Sequence, residues 1–173
     1  MEKVERGGFM IVISDTTPLI SLMKVGRLGL IEQLFGEVQI PEAVYMELIG
    51  NPLFSEEAQQ IQNNPFIKHV VIDDIKSVDL LRRATGLDKG ESEAIILSDT
   101  CHADLLLMDE IKGRQVAKQM GLHLMGTVGM LRVAYEEKLL TYEDIVECIE
   151  ALRANNRHIS DRLFRQLLES IQP

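Results

Sequence analysis

Phe9-Met-Ile-Val-Ile13, running on into Ser14-Asp-Thr-Thr-Pro18, sets the architecture of the chain. The first five residues are continuously apolar and rich in β-branched side chains, with no polar alternation. Such a run reads as a strand buried on both faces, as in a parallel sheet. The next five end it, and Thr17 followed by Pro18 signals the start of a helix. A second run, Leu105-Leu-Leu-Met108, has the same character and is closed by Asp109-Glu110. Two central strands, each ending in an acidic residue, frame everything between them.

Outward from these strands, helical and extended segments alternate. Leu19, Ile20, Leu22 and Met23 supply a helical apolar face, and a further helix is expected over Arg27 to Phe35 after the break at Gly26. Glu37 to Ile40 reads as a strand and Pro41 to Leu48 as a helix. Ser55 to Gln62 is helical, Ile67 to Ile72 extended, the Asp73-Asp74 pair a solvated turn, and Ser77 to Ala84 helical. Asp88 stands three residues before Glu91, the spacing of a capping box, and opens a helix whose body is apolar nearly all round. Beyond the second central strand come a helix over Ile111 to Met120, a strand over Leu122 to Met125 and a helix capped by Thr127. Two more helices follow, Thr141 to Ala154 and Ser160 to Ile171. Strands alternating with helices, the strongest strands lacking a polar face, predict an α/β three-layer sandwich around a mainly parallel sheet. The expected organisation is a frayed N-terminus over 1–8, an α/β domain over 9–137, and a helical tail over 138–173 packed on the domain or on a partner.

Composition narrows the function. The 173 residues are 46% hydrophobic and 26% charged, the balance of one globular domain. No apolar run is long enough for a membrane span, and the start MEKVERGG carries no secretory core, so a cytoplasmic protein is expected. Cys101 and Cys148 match no metal or redox spacing and read as buried free thiols. The net charge of −9 and the absence of tryptophan disfavour a passive nucleic-acid binder. They do not disfavour an enzyme that meets nucleic acid through bound cations.

The acidic residues at the strand ends are the chemical signal. In open parallel sheets, ligands bind beyond the carboxyl ends of the strands, and Asp15 and Asp109 would both project there. Neither strand end has a basic neighbour to pair with them; Lys112 is the nearest. Like-charged carboxylates brought together call for a cation, and all-oxygen ligands suit Mg²⁺ or Mn²⁺. Each aspartate has a plain alternative as a helix cap. Glu47 lies beside the apolar face of its short helix, and Glu93 sits at the start of the apolar helix with no evident structural task. Other chemistries lack residues. There is no G-x-x-x-x-G-K-[ST], no G-x-G-x-x-G after a strand, no G-x-S-x-G and no paired histidine spacing among His69, His102, His123 and His158.

These residues resemble the PIN-domain family. Val12-Ile-Ser-Asp-Thr-Thr-Pro-Leu-Ile20 is similar to its opening strand and aspartate, and Pro41-Glu-Ala-Val-Tyr-Met-Glu-Leu48 to its second motif. Gly90-Glu-Ser-Glu-Ala-Ile95 resembles the third motif, with Glu93 where many members carry Asp, and Leu105-Leu-Leu-Met-Asp-Glu110 resembles the fourth. The order and spacing agree from about residue 10 to 135, closest to a prokaryotic VapC-like branch with a Gly-Glu-x-Glu-Ala motif and a helical tail.

The resemblance implies a Mg²⁺- or Mn²⁺-dependent endoribonuclease, often the toxin of a toxin–antitoxin pair, commonly a homodimer inhibited by a small antitoxin. Carried over by position, the catalytic cluster is Asp15, Glu47, Glu93 and Asp109, with Asp15, Asp109 and Glu93 as metal ligands and Thr16 near them. Glu93 is one methylene longer than the family's Asp, so Glu91 or Glu110 stands as its alternative. The implied chemistry is hydrolysis of an RNA phosphodiester by activated water, with Lys24, Lys112, Arg114 and Lys118 as candidate phosphate guides. A catalytically degenerate scaffold that regulates or assembles is the second reading. A phosphatase or receiver-like domain accepting phosphate on Asp15 is the third, disfavoured because no second acid flanks Asp15.

Overall fold

The computed structural model describes residues 10–157 and 159–171; the expected fraying of 1–8 lies outside them. Five parallel strands form the centre: β1 (Val12–Ser14), β2 (Val38–Pro41), β3 (Ile67–Val70), β4 (Leu105–Leu107) and β5 (Leu124–Met125), in the order β3-β2-β1-β4-β5. Connecting them are α1 (Thr16–Lys24), α2 (Leu30–Phe35), α3 (Glu42–Gly50), α4 (Ser55–Asn63), α5 (Ile75–Thr85), α6 (Lys89–Thr100), α7 (Ile111–Gln119) and α8 (Thr127–Glu136), and α9 (Tyr142–Ala154) and α10 (Asp161–Ser170) follow. The α/β sandwich with a parallel sheet is the architecture the apolar runs predict.

The alternation of side chains along the strands divides the interior in two. Val12, Val38, Ile40, Leu105 and Leu107 face one core, packed with residues of α1 to α4 and α8 to α10. Ile13, Leu106 and Met108 face the other, packed with Ala94, Ile95 and Leu97 of α6 and Ala117 of α7. β1 and β4 are buried along their whole length, as unalternating runs require. Ile145, Cys148, Ile149, Leu152, Phe164, Leu167 and Ile171 belong to the first core, so α9 and α10 pack on the sandwich itself. Both cysteines are free, and burial pushes both thiols above their ordinary range, keeping them protonated.

Several helix starts differ from the sequence expectation, α2 by three residues, and three of the differences concern capping. α1 begins at Thr16, one residue before the Thr17-Pro18 signal, with Asp15 at the cap position. Pro18 then occupies the first turn, where its missing N–H costs nothing. Asp74, expected in a solvated turn, caps α5 by accepting the Ser77 N–H at 3.0 Å. Thr127 is the first residue of α8 rather than its cap, because a side chain from β4's far end does the capping.

Candidate active site at the carboxyl edge of the sheet

The chain builds β1, β2 and β3 outward on one side, then returns to add β4 and β5 on the other. That reversal leaves a crevice where β1 and β4 lie side by side, the usual ligand position in open α/β sheets. Ser14 is in register with Leu107, and the Asp15 N–H donates to the Leu107 carbonyl at 3.0 Å. Asp15 and Asp109 therefore leave the same rim of the molecule on adjacent strands.

Asp15 is only 4% exposed, and its side chain makes no capping hydrogen bond to α1. Burial pushes its carboxyl up to about 8; the Thr16 amide partly offsets this, while the charges of Asp88, Glu91 and Glu47 raise it further. Glu47 reaches this rim from α3, which packs on α1, and its Oε2 accepts the Thr16 hydroxyl at 2.9 Å. Asp88 and Glu91 arrive on the first turn of α6, locked by a reciprocal capping box. That turn comes close to α3 at Gly90, where a Cβ would be in ordinary contact with Asp88 Oδ1 at 3.5 Å and Glu47 Oε2 at 3.6 Å. Glu91 is raised too, chiefly by burial, with the Asp88 amide opposing and the Asp88 and Glu110 charges adding.

The other two predicted site residues are engaged differently. Asp109 holds the start of α8, its Oδ1 accepting the Thr127 N–H at 2.7 Å and its Oδ2 the Thr127 hydroxyl at 2.6 Å. Gly126 is required beside it, since a Cβ there would fall 2.7 Å from Asp109 Oδ1. Glu93 is buried on the α6 face turned to α3, where its Oε2 accepts the Ala43 N–H at 2.7 Å. Pro41, at the cap of α3, has no side chain that can do this. Lys89 Nζ lies 3.8 Å from the other oxygen. Glu93 thus has the structural task that sequence reading did not find. Glu93→Ala is expected to cost about 1–2 kcal/mol of unfolding free energy, as lost caps do. Glu93→Gln, whose amide oxygen still accepts, should lose much less in the same urea titration.

Among the described residues, no three His, Cys, Asp or Glu side chains are already gathered at metal-ligating spacing. What the fold assembles is a like-charged group of Asp15, Glu47, Asp88 and Glu91, with Asp109 on the adjacent strand. Asp88 is the member missed from sequence, because its capping role accounted for it fully. Lys24, a candidate phosphate guide, instead pairs with Glu57 of α4. Glu57 is 3% exposed; burial raises its carboxyl, but the Lys24 hydrogen bond and charge outweigh that and hold it below its ordinary value. Arg114 turns inward, donating to the Met108 carbonyl at 2.8 Å.

The fold and this rim define a PIN-type α/β domain. A model of the PIN domain matches residues 11–173, and the chain belongs to that family. The match runs through α9 and α10, in keeping with their share of the core. PIN domains are generally nucleases and generally use divalent metals. No curated protein matches the sequence. Among the described residues, no helix is long and apolar enough to cross a membrane.

Proposed function

We propose that this chain is a divalent-metal-dependent endoribonuclease that hydrolyses RNA phosphodiesters with Mg²⁺ or Mn²⁺. The observation that carries the reading is Asp15: a buried carboxylate at the sheet's switch point, facing three further acids, of which Glu91 also feels the Lys112 charge. A group of this charge is poised to exchange its proton for a hard divalent ion, and its oxygen-only donors suit Mg²⁺ or Mn²⁺. When bound, the ion supplies Lewis acidity to water and to the scissile phosphate.

The residues that would hold it are Asp15, Asp109 and Glu91, the last favoured over Glu93 because Glu91 bears on Asp15 while Glu93 serves α3. Asp109 keeps lone pairs beyond those used by Thr127, so its place in α8 and a ligand role are compatible. Glu47 is exposed and its carboxylate is oriented by the Thr16 hydroxyl, which suits it to take the proton from attacking water. Asp88 fixes the turn that carries Glu91. No side-chain nucleophile is needed. A role as the toxin of a cytoplasmic toxin–antitoxin pair, as a homodimer restrained by a small antitoxin, is proposed on the motif resemblance.

A specific observation favours the second reading, a degenerate regulatory or assembly scaffold: both Asp109 oxygens and one Glu93 oxygen are already bonded within the protein. Calorimetric titration with Mn²⁺ and an RNA degradation assay separate the two. Wild-type protein is expected to bind Mn²⁺ and to degrade single-stranded RNA until EDTA is added. The Asp15→Asn/Asp109→Asn protein should do neither. Equal degradation by the double variant would refute the assignment, and thermal silence toward Mn²⁺ would favour the scaffold.

A further inference from the structure

Two neighbouring clefts lie along α5. One, of about 580 Å³, is lined by Asp79, Arg82, Arg83 and Leu87. The other, of about 250 Å³, shares Asp79 and Arg82 and continues over Val71, Ile72, Ile75 and Val78 to Lys89 and Glu93. It ends on the first turn of α6, the turn whose next residue, Gly90, abuts Glu47 and Asp88. Val71 and Ile72 follow β3 and Glu42, which also lines this cleft, follows β2, so the trough lies on the same carboxyl edge of the parallel sheet as Asp15, on the β3 side of it.

Its chemistry is uneven in a useful way. Arg82 and Arg83 are exposed and have no ion pair among the described residues, in a chain whose net charge is −9. The acids along the trough are mostly occupied: Glu42 is paired with His69, and Glu93 with the Ala43 amide and Lys89. Asp79 is the exception. The floor between the cations is apolar, and Val71 and Ile75 stay 68% and 64% exposed.

Resting on the nuclease reading, we infer that this trough is the track for single-stranded RNA flanking the scissile bond. Arg82 and Arg83 are its phosphate-binding residues, and the Val71–Ile75 floor receives an unstacked base. Guanidinium groups bind phosphate in a fork, and apolar surface between phosphate contacts is what a splayed single strand needs. A duplex keeps its bases inside and gains nothing from the floor.

The test is fluorescence anisotropy of a labelled mixed-sequence RNA 12-mer across a KCl series, using Arg82→Gln/Arg83→Gln and Arg82→Lys/Arg83→Lys proteins beside wild type. The Gln variant is expected to bind about tenfold more weakly, with a log K against log salt slope shallower by about 1.4, two phosphate contacts' worth for a single strand. The Lys variant should keep most of the slope. Unchanged affinity and slope in the Gln variant would overturn the track, as would a wild type that binds no RNA. Weaker binding with an unchanged slope would also overturn the phosphate assignment. Metal-dependent cleavage by wild type, measured separately, distinguishes failure of the track from failure of the nuclease. Cleavage with arginine-independent binding sinks only the track, and arginine-dependent binding without cleavage sinks only the nuclease.

Discussion

Asp15→Asn is expected to raise the melting temperature of the metal-free protein at pH 8.5 while leaving it nearly unchanged at pH 4. In the folded chain the Asp15 carboxyl titrates at about 8, against an ordinary value of 3.8, chiefly because it is buried. Between those values the folded protein retains a proton that the unfolded chain has released. Unfolding therefore becomes easier as pH rises through this window, and the loss is complete above about pH 8. Asparagine has the same shape and no charge to lose, so the variant escapes it. The difference at pH 8.5 should be on the order of a few kcal/mol, or roughly 5–10 °C in a chain of this size. Glu91, raised in the same direction, leaves a smaller residual slope in the variant. Glu57, Asp74 and Asp144 are held low and act in the opposite sense, but only in acid. Mn²⁺ should stabilise wild type more strongly as pH rises, since binding displaces the Asp15 proton, and should do little for the variant. Calorimetric melts at pH 4, 6 and 8.5 with and without Mn²⁺ decide it. A wild type whose melting temperature is flat from pH 6 to 8.5 would mean Asp15 is not held in this desolvated, like-charged setting.

Phe164→Ala carries the other large effect. Phe164 is 1% exposed, lies on α10, and packs in the core shared by α8 and α9; the Arg153 guanidinium covers its ring at 5.2 Å from the centroid. Removing a buried aromatic side chain costs about 3–5 kcal/mol through lost transfer free energy and the cavity left behind. A guanidinium over an aromatic face contributes about 0.5–1 kcal/mol more at a partly exposed site. Urea titration should show a lower midpoint with an unchanged slope. The measurement also decides what the C-terminal helices are for. If the substitution is close to neutral, α10 does not rest on the sandwich in solution and is available to a partner. If it costs what a core residue costs, α9 and α10 are part of the domain.

Much of this was legible from short windows of sequence. The order of strands and helices follows from apolar runs, capping pairs and Gly or Pro breaks, each acting within a few residues. The capping box Asp88–Glu91 forms as its three-residue spacing predicts, and the structure adds a second at Thr141–Asp144. That Asp15 and Asp109 share a rim also follows once both runs are buried parallel strands.

The identity of each carboxylate's partner was not legible. Glu93 meets Ala43, Asp109 meets Thr127, and Lys24 meets Glu57, each across a separation set by how one helix lies on another. Asp88 and Glu91 look complete as a cap, yet the approach of α6 to α3 at Gly90 sets their charges against Asp15. Local hydrogen bonds and periodicity write the elements into the chain, because their energies depend on neighbours in sequence. The charge state of a buried acid depends on every group around it in space, and only the packed fold assembles those groups.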